Sequence, residues 1–253
     1  MKNIVSSKIF LLGEEVSEID NLLPWKLIAD IPKFFESDSF SFVFENKIKD
    51  VVINEKNGPV IIDSTAKIEP YTILNGPIYI GKNVLIKSHS NISNSIIENH
   101  CKIKGEVQSS IFQPFSNKAH EGFIGHSFIA SWVNLGAGTT TSNLKNNYTN
   151  VSVKWDGELI DTKSIFFGSI IGEHVKTSIG TNLNTGTIIE MGSNVVSQSF
   201  PPRYIPSFSF YYNGKISKIT FEEFKDVASK AMSRRNIDFS SIEATFSELY
   251  KKD

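Results

Sequence analysis

The chain has 253 residues, 40% hydrophobic and 21% charged, which is enough apolar content for a packed core and too much for global disorder. Lys plus Arg number 26 against 27 Asp plus Glu, a formal net charge of −1 without the basic excess that nucleic acid selects. The single cysteine, Cys101, excludes an intrachain disulfide framework and any multi-cysteine metal site, and no apolar run approaches the ~18 residues that span a bilayer.

Residues Met1 to Lys8 lack the apolar centre and cleavage site of a secretory signal, so a soluble cytoplasmic protein is expected. The N-terminal extension, residues 1–58, holds an extended run from Ile4 to Leu12. It then carries Leu22-Leu-Pro-Trp-Lys-Leu-Ile28 and an aromatic stretch from Phe34 to Phe44.

Over residues 59–200 an aliphatic side chain recurs about every six positions. The register runs Ile62, Ile68, Leu74, Ile80, Ile86, slips by one, and resumes at Ile97 and Ile103, with later members Ile124, Leu135 and Ile171. Small or slim residues such as Ala66, Thr72, Ser90 and Cys101 stand four places on. A period of six matches neither the 3.6 of a helix nor the 2 of a strand. It fits a parallel β-helix of three short faces, in which the aliphatic residue points inward and Gly, Asp or Asn takes the corner. Each coil buries its inner residues only by stacking on its neighbours.

The register lapses over residues 112–123 and again over residues 143–164. The second stretch is polar, with Asn143, Asn146, Asn147 and Asn150, and is expected to loop out; loops on a rigid scaffold are where sites are built. Its two glycosylation sequons carry no weight without a secretory signal. Phe200-Pro-Pro-Arg-Tyr-Ile-Pro206 is expected to stop the solenoid, because Pro cannot donate to a ladder. In the tail, residues 201–253, Thr220 with Glu223 and Ser240 with Glu243 read as capping boxes of two helices. The first would bury Phe221, Phe224, Ala228 and Ala231, the second Ile242, Phe246, Leu249 and Tyr250.

The repeat region resembles the hexapeptide-repeat acyltransferases, which fold as left-handed β-helices. Two segments carry a closer likeness, Ser116-Asn-Lys-Ala-His120-Glu-Gly-Phe-Ile-Gly125 and Asn134-Leu-Gly-Ala-Gly-Thr-Thr-Thr-Ser-Asn143. They are similar to Ser-Lys-x-x-His-Leu-x-Tyr-Leu-Gly and Asn-Ile-Gly-Ala-Gly-Thr-x-x-x-Asn. Those patterns belong to the acetyltransferase half of the bifunctional N-acetylglucosamine-1-phosphate uridylyltransferase/glucosamine-1-phosphate N-acetyltransferases. A short sugar-nucleotidyltransferase-like branch is closer still, sharing Ser116 to His120, Ser142 to Tyr148, Ile205 to Ser209 and Leu23 to Trp25.

The resemblance implies an all-β, left-handed parallel β-helix with a short N-terminal extension and C-terminal helices, and an acetyl-CoA-dependent transfer to an amino-sugar phosphate or nucleotide-linked amino sugar. His120 matches the catalytic histidine, and a neutral imidazole suits a general base near pH 7. A backbone N–H of the Gly136-Ala137-Gly138 turn would stabilise the oxyanion. Asn134 matches a position that holds the amino sugar, and Asn143 one that holds the acyl donor. Two departures stand out: Gln108 replaces a phosphate-binding Lys, and Phe123 replaces a Tyr that contacts substrate. Lys118 on the acceptor side, and Lys145 and Arg203 on the donor side, could supply the missing charge.

The glycine-rich phosphate loop of a uridylyltransferase is absent, so pyrophosphorylase activity is not expected, and residues 1–58 read as a remnant of such a domain or a docking segment for a separate nucleotidyltransferase chain. Family members form homotrimers; neither nucleic acid, membrane nor metal is expected as a partner. Two alternatives stay open, a non-catalytic assembly or regulatory subunit of a sugar-phosphate nucleotidyltransferase and a zinc carbonic anhydrase-like protein. For the zinc reading His120 and His126 stand six apart where the pattern asks for five.

Overall fold

The computed structural model of the chain describes residues 1, 3–6, 8–16, 22–36 and 49–252. Its centre is a parallel β-solenoid of about nine turns, the left-handed β-helix expected from the repeat and the resemblance. Three ladders wind around a narrow core. The first ladder threads one inward residue per coil, Ile62, Ile80, Ile97, Phe112, Ile129, Ile171, Ile189 and Ile205, each paired in register with the next. The second runs through Lys67–Ile68, Leu85–Ile86, Lys102–Ile103 and Asn117–Lys118, bridges at Asn134, and continues through Lys176–Thr177, Asn194–Val196 and Ser209–Tyr212. The third includes Val52–Asn54, Glu106–Gln108 and Phe123–Gly125. Most of the predicted aliphatic positions are 0–4% exposed in one continuous core. Full burial of each is worth roughly 1.5–3 kcal/mol.

The lapse expected over residues 112–123 is not a break in the coil. Phe112 fills an isoleucine slot of the first ladder, and Lys118 stands opposite Ile103 in the second. The pattern vanished because an aromatic and a lysine occupy aliphatic positions. Pro201 and Pro202 do not end the solenoid either. They lie in a connection, so no ladder loses a donor, and pairing resumes at Tyr204–Ile205. The last coil closes with the antiparallel hairpin of Ser209–Tyr212 and Lys215–Lys218.

The inserted segment does loop out, but it is ordered. Ser152–Trp155 and Glu158–Asp161 form an antiparallel hairpin around Gly157. With the N-terminal residues it roofs the outer surface of the first ladder, where Ile61, Tyr79, Ile96, Ile111, Phe128, Ile170 and Ile188 alternate with the core positions. Helix α1 (Pro24–Ala29) brings Trp25 edge-on to Trp155 at 5.3 Å. Most of the described apolar residues of the extension pack on the chain's own solenoid, while Val52 and Ile53 stay exposed on its third ladder. Residues 37–44 of the aromatic stretch lie outside the described residues.

At the far end, helices α2 (Phe221–Ser233) and α3 (Ser240–Lys252) pack Phe224, Ala228, Met232 and Phe246 over Met191 and Phe208. The Thr220–Glu223 capping box is present. The second is not: Asp238 accepts from the Ser240 N–H and hydroxyl, and Glu243 instead pairs with Lys225 of α2. The Asp238 carboxylate, two residues upstream, takes the Ser240 N–H that Glu243 would accept in a capping box.

Buried carboxylates clasp the N-terminal segment. Glu173, 6% exposed, accepts from the Ser6 N–H at 2.9 Å, and Glu98, 0% exposed, accepts from the Gly13 N–H at 3.2 Å. Burial pushes both carboxyls up from 4.5 to about 7. Their stabilising contribution is complete below the unfolded value and is lost as pH rises through the folded one. Glu173→Gln keeps an oxygen for Ser6 and removes the charge. It is expected to match the native protein near pH 5 and to exceed it by about 2 kcal/mol at pH 8. The variant-minus-native difference in urea unfolding isolates this carboxyl, because burial lowers the pKa of His126 and His174 and their effect runs the opposite way with pH. A difference that does not grow with pH would contradict the clasp.

Candidate active site

Between the second and third ladders the chain turns through Ala119, His120, Glu121 and Gly122. Gly122 has φ +130°, and a Cβ there would lie 2.2 Å from the Thr139 carbonyl oxygen, so only glycine lets this coil sit on the next. The His120 side chain is exposed at the turn. Its backbone is pinned from inside. Lys118 Nζ donates to the carbonyl oxygens of His120 at 2.6 Å and Lys104 at 2.9 Å. Burial lowers the Lys118 ammonium to about 8. Lys118 is therefore not a free surface cation: its charge is spent on two carbonyls.

The Gly136-Ala137-Gly138 turn stacks directly on this corner, because the Gly138 N–H donates to the Glu121 carbonyl at 2.9 Å. The Gly136 N–H is taken by Thr177 Oγ1 at 3.0 Å. A Cβ on Gly136 would meet the Ser178 carbonyl oxygen at 2.4 Å, which explains the glycine. Among the described residues the Ala137 N–H alone of the three has no partner.

The other expected residues fall on two outer surfaces. Asn134 lies on the second ladder between Asn117 and Lys176, in a cleft of about 510 Å³ that reaches Ala119, the neighbour of His120. Gln108, Phe123 and Asn143 lie on the third. Gln108 pairs with Gly125, and a Cβ on Gly125 would strike the Phe123 ring at 2.3 Å and Asn143 Nδ2 at 2.8 Å. Asn143 Nδ2 lies 2.9 Å from His126 Nδ1. Burial holds the His126 imidazole below its usual range, so the neutral ring accepts at Nδ1 from the amide. Lys145 and Arg203 share a hollow of about 240 Å³ with Asn184 and Thr185 on the same side. Lys145 Nζ also donates to the Asn150 carbonyl at 2.5 Å. His120 stands at the corner between the two surfaces. Neither of these two hollows holds all of these residues.

Two features escaped the sequence reading. His126, a corner residue at φ +48°, orients Asn143; its signal was only its place seventeen residues before it. The second is a column of stacked rings, His100, Phe115, Trp132 and His174, with centroids 4.7, 4.3 and 5.9 Å apart. All four adopt positive φ, at a cost of roughly 1–2 kcal/mol each, which stacking offsets in part. The column backs the cleft that contains Asn134. No group of three or more His, Cys, Asp or Glu side chains able to hold a metal occurs among the described residues. No described helix is long and apolar enough to cross a membrane.

No protein-family model matches the chain. It is 34% identical over 173 residues to a bifunctional sugar-1-phosphate nucleotidylyltransferase/acetyltransferase of Sulfurisphaera tokodaii, covering 66% of this chain and 41% of that protein. To the bifunctional protein GlmU of Methanococcus aeolicus it is 32% identical over 188 residues, covering 68% of this chain and 41% of the relative. The chain thus spans about two-fifths of the length of these curated relatives. Among solved structures, the UDP-N-acetylglucosamine acyltransferase of Campylobacter jejuni overlaps 81% of this chain and 90% of its own, at 13% identity and a TM-score of 0.34. Repeat, solenoid and relatives agree: the chain is a left-handed β-helix of hexapeptide repeats, and over 66% of its length it is similar to a bifunctional sugar-1-phosphate nucleotidylyltransferase/acetyltransferase.

Proposed function

We propose that the chain is a coenzyme A-dependent N-acetyltransferase acting on an amino-sugar phosphate or nucleotide-linked amino sugar. The observation that carries this reading is the corner itself, where an exposed imidazole abuts a glycine turn with an unpartnered N–H. Neutral His120 takes a proton from the amine as its nitrogen attacks the thioester carbonyl. The oxyanion forms within reach of the Ala137 N–H. Collapse breaks the C–S bond, and the imidazolium returns its proton to the departing thiolate. Lys118 is a positioning residue, acting through the His120 carbonyl. Asn143, oriented by His126, belongs to the donor side with Lys145 and Arg203, whose charges suit the phosphates of coenzyme A.

The split of these residues over two outer surfaces supports a side-by-side homotrimer, in which the second-ladder surface and corner of one subunit face the third-ladder surface of the next. Light scattering should give three chains per particle; a monomer at micromolar concentration contradicts the shared site. Titration calorimetry with acetyl-CoA is expected to give saturable binding. Its absence would favour a non-catalytic assembly subunit, the reading that Gln108 and Phe123 support.

A further inference from the structure

The cleft on the second ladder concentrates positive charge that the chain does not neutralise. Lys102 and Lys176 lie on the outer side of the ladder, with Lys176 Nζ donating one bond, to the His174 carbonyl at 3.0 Å, and Arg234 and Arg235 follow the last turn of α2. None of the four is in an ion pair among the described residues. Lys102 is held below its usual pKa chiefly by Arg235, with burial and then Arg234 adding to the effect, and burial brings Lys176 down to about 8. Lys102, Arg234 and Arg235 are thus pressed together, beside Lys176 in the same cleft, in a protein whose net charge is only −1. A cation after a helix C-terminus complements the helix dipole, which gives Arg234 and Arg235 one ordinary role. It does not explain two lysines from separate coils facing them. Arg235 also reaches across to Asn117 Oδ1 at 3.2 Å, fixing the helix end over the ladder.

The walls restrict the ligand further. Phe115 and Trp132 line the cleft, but each ring has both faces occupied within the stacked column. Only edges are offered, so there is no platform on which a nucleobase could stack. Asn117 and Asn134 supply amide groups for hydroxyls or an amine.

We propose that this cleft is a phosphate site for a small phosphorylated molecule without a nucleobase, formed by Lys102, Lys176, Arg234 and Arg235 and floored by Asn117 and Asn134. The assignment of that molecule as the acceptor rests on the transferase reading, because the cleft reaches the residue before His120. The charge that Gln108 cannot provide on the third ladder is supplied here by another face, with two of its cations carried by the C-terminal tail.

Phosphate could also come from coenzyme A, and the test separates the two sources. Inorganic phosphate and glucosamine 1-phosphate are titrated by calorimetry into the native full chain and into Lys102→Gln/Arg235→Gln. Lys102→Gln alone is included because Lys102 lies at the ladder surface and its loss leaves the helix contact intact. Saturable phosphate binding is expected, weakened at least about 10-fold in the double variant, partly in the single one, and by added salt. Coenzyme A is expected neither to displace the phosphate nor to lose more than about 2-fold in affinity. Absent saturable phosphate binding, undiminished binding in both variants, or displacement by coenzyme A would each overturn the site. Because no turnover is read, the two proposals fail separately. A native protein that binds phosphate and never acetylates keeps the cleft and loses the transferase, and an active enzyme with variant-insensitive phosphate binding does the reverse.

Discussion

His120→Ala is expected to reduce acetyl-transfer turnover by about 10²- to 10⁴-fold, the usual contribution of a positioned general base. The fold should not notice. The His120 side chain is exposed, and the hydrogen bond that ties this corner to Lys118 uses the carbonyl oxygen, which alanine retains. A surface change of this kind stays within about 0.5 kcal/mol in stability. Acetyl-CoA affinity should be unaltered, since the imidazole acts on the acceptor's proton. Steady-state kinetics beside a thermal melt check both halves. Near-native turnover by the variant removes His120 as the base.

Phe112→Ala tests the solenoid as His120→Ala tests the chemistry. Phe112 is fully buried between Ile97 and Ile129, the one aromatic in a column of isoleucines. Its truncation leaves a cavity that flanking coils cannot close without breaking their own ladders. The expected cost is about 3–5 kcal/mol. At roughly 2–4 °C per kcal/mol for a chain of this size, the melting temperature should fall by about 6–20 °C. Phe112→Leu should cost clearly less, because aliphatic side chains fill the same slot in every other coil. Circular dichroism melts of the two variants decide it. An alanine variant that melts with the native protein would mean that this coil does not pack as described.

The solenoid was legible because its core is written in one dimension. A residue every sixth position meets its counterpart one coil on, so periodicity alone nominates the inner column, and Ile62, Ile80, Ile97 and Ile171 do stack. The pattern is lost where the slot is right and the residue type is not. Phe112 and Lys118 sit in aliphatic positions, and hydropathy cannot see a lysine whose ammonium bonds carbonyl oxygens at a corner. Pro201 and Pro202 interrupt no ladder, since pairing resumes at Tyr204–Ile205. A missing N–H matters only inside a ladder, and which residues lie between ladders is set by neighbouring coils.

The site was legible in parts. Spacing places His120 beside the Gly136–Gly138 turn because both are corners of adjacent coils, and the Glu121 to Gly138 hydrogen bond is the result. It does not reveal that Asn134 and Asn143 lie on different outer faces, which depends on coil length and on the insertion after Asn143. Nor does it reveal the basic cleft. Arg234 and Arg235 lie more than fifty residues beyond Lys176 in the chain, and only the folding of α2 onto the ring column brings them together. The N-terminal extension is a similar case: the partners of its buried apolar residues, Trp25 and Ile31 among them, are the outward residues of the first ladder and the hairpin of the insertion, far away in the sequence.

The most direct test of the central proposal is thiol release from acetyl-CoA by the native chain, across a panel of amino-sugar phosphates and nucleotide-linked amino sugars that begins with glucosamine 1-phosphate. The account predicts release that requires both donor and acceptor and saturates with each. Absence of acceptor-dependent release across the panel, from folded protein, would contradict it.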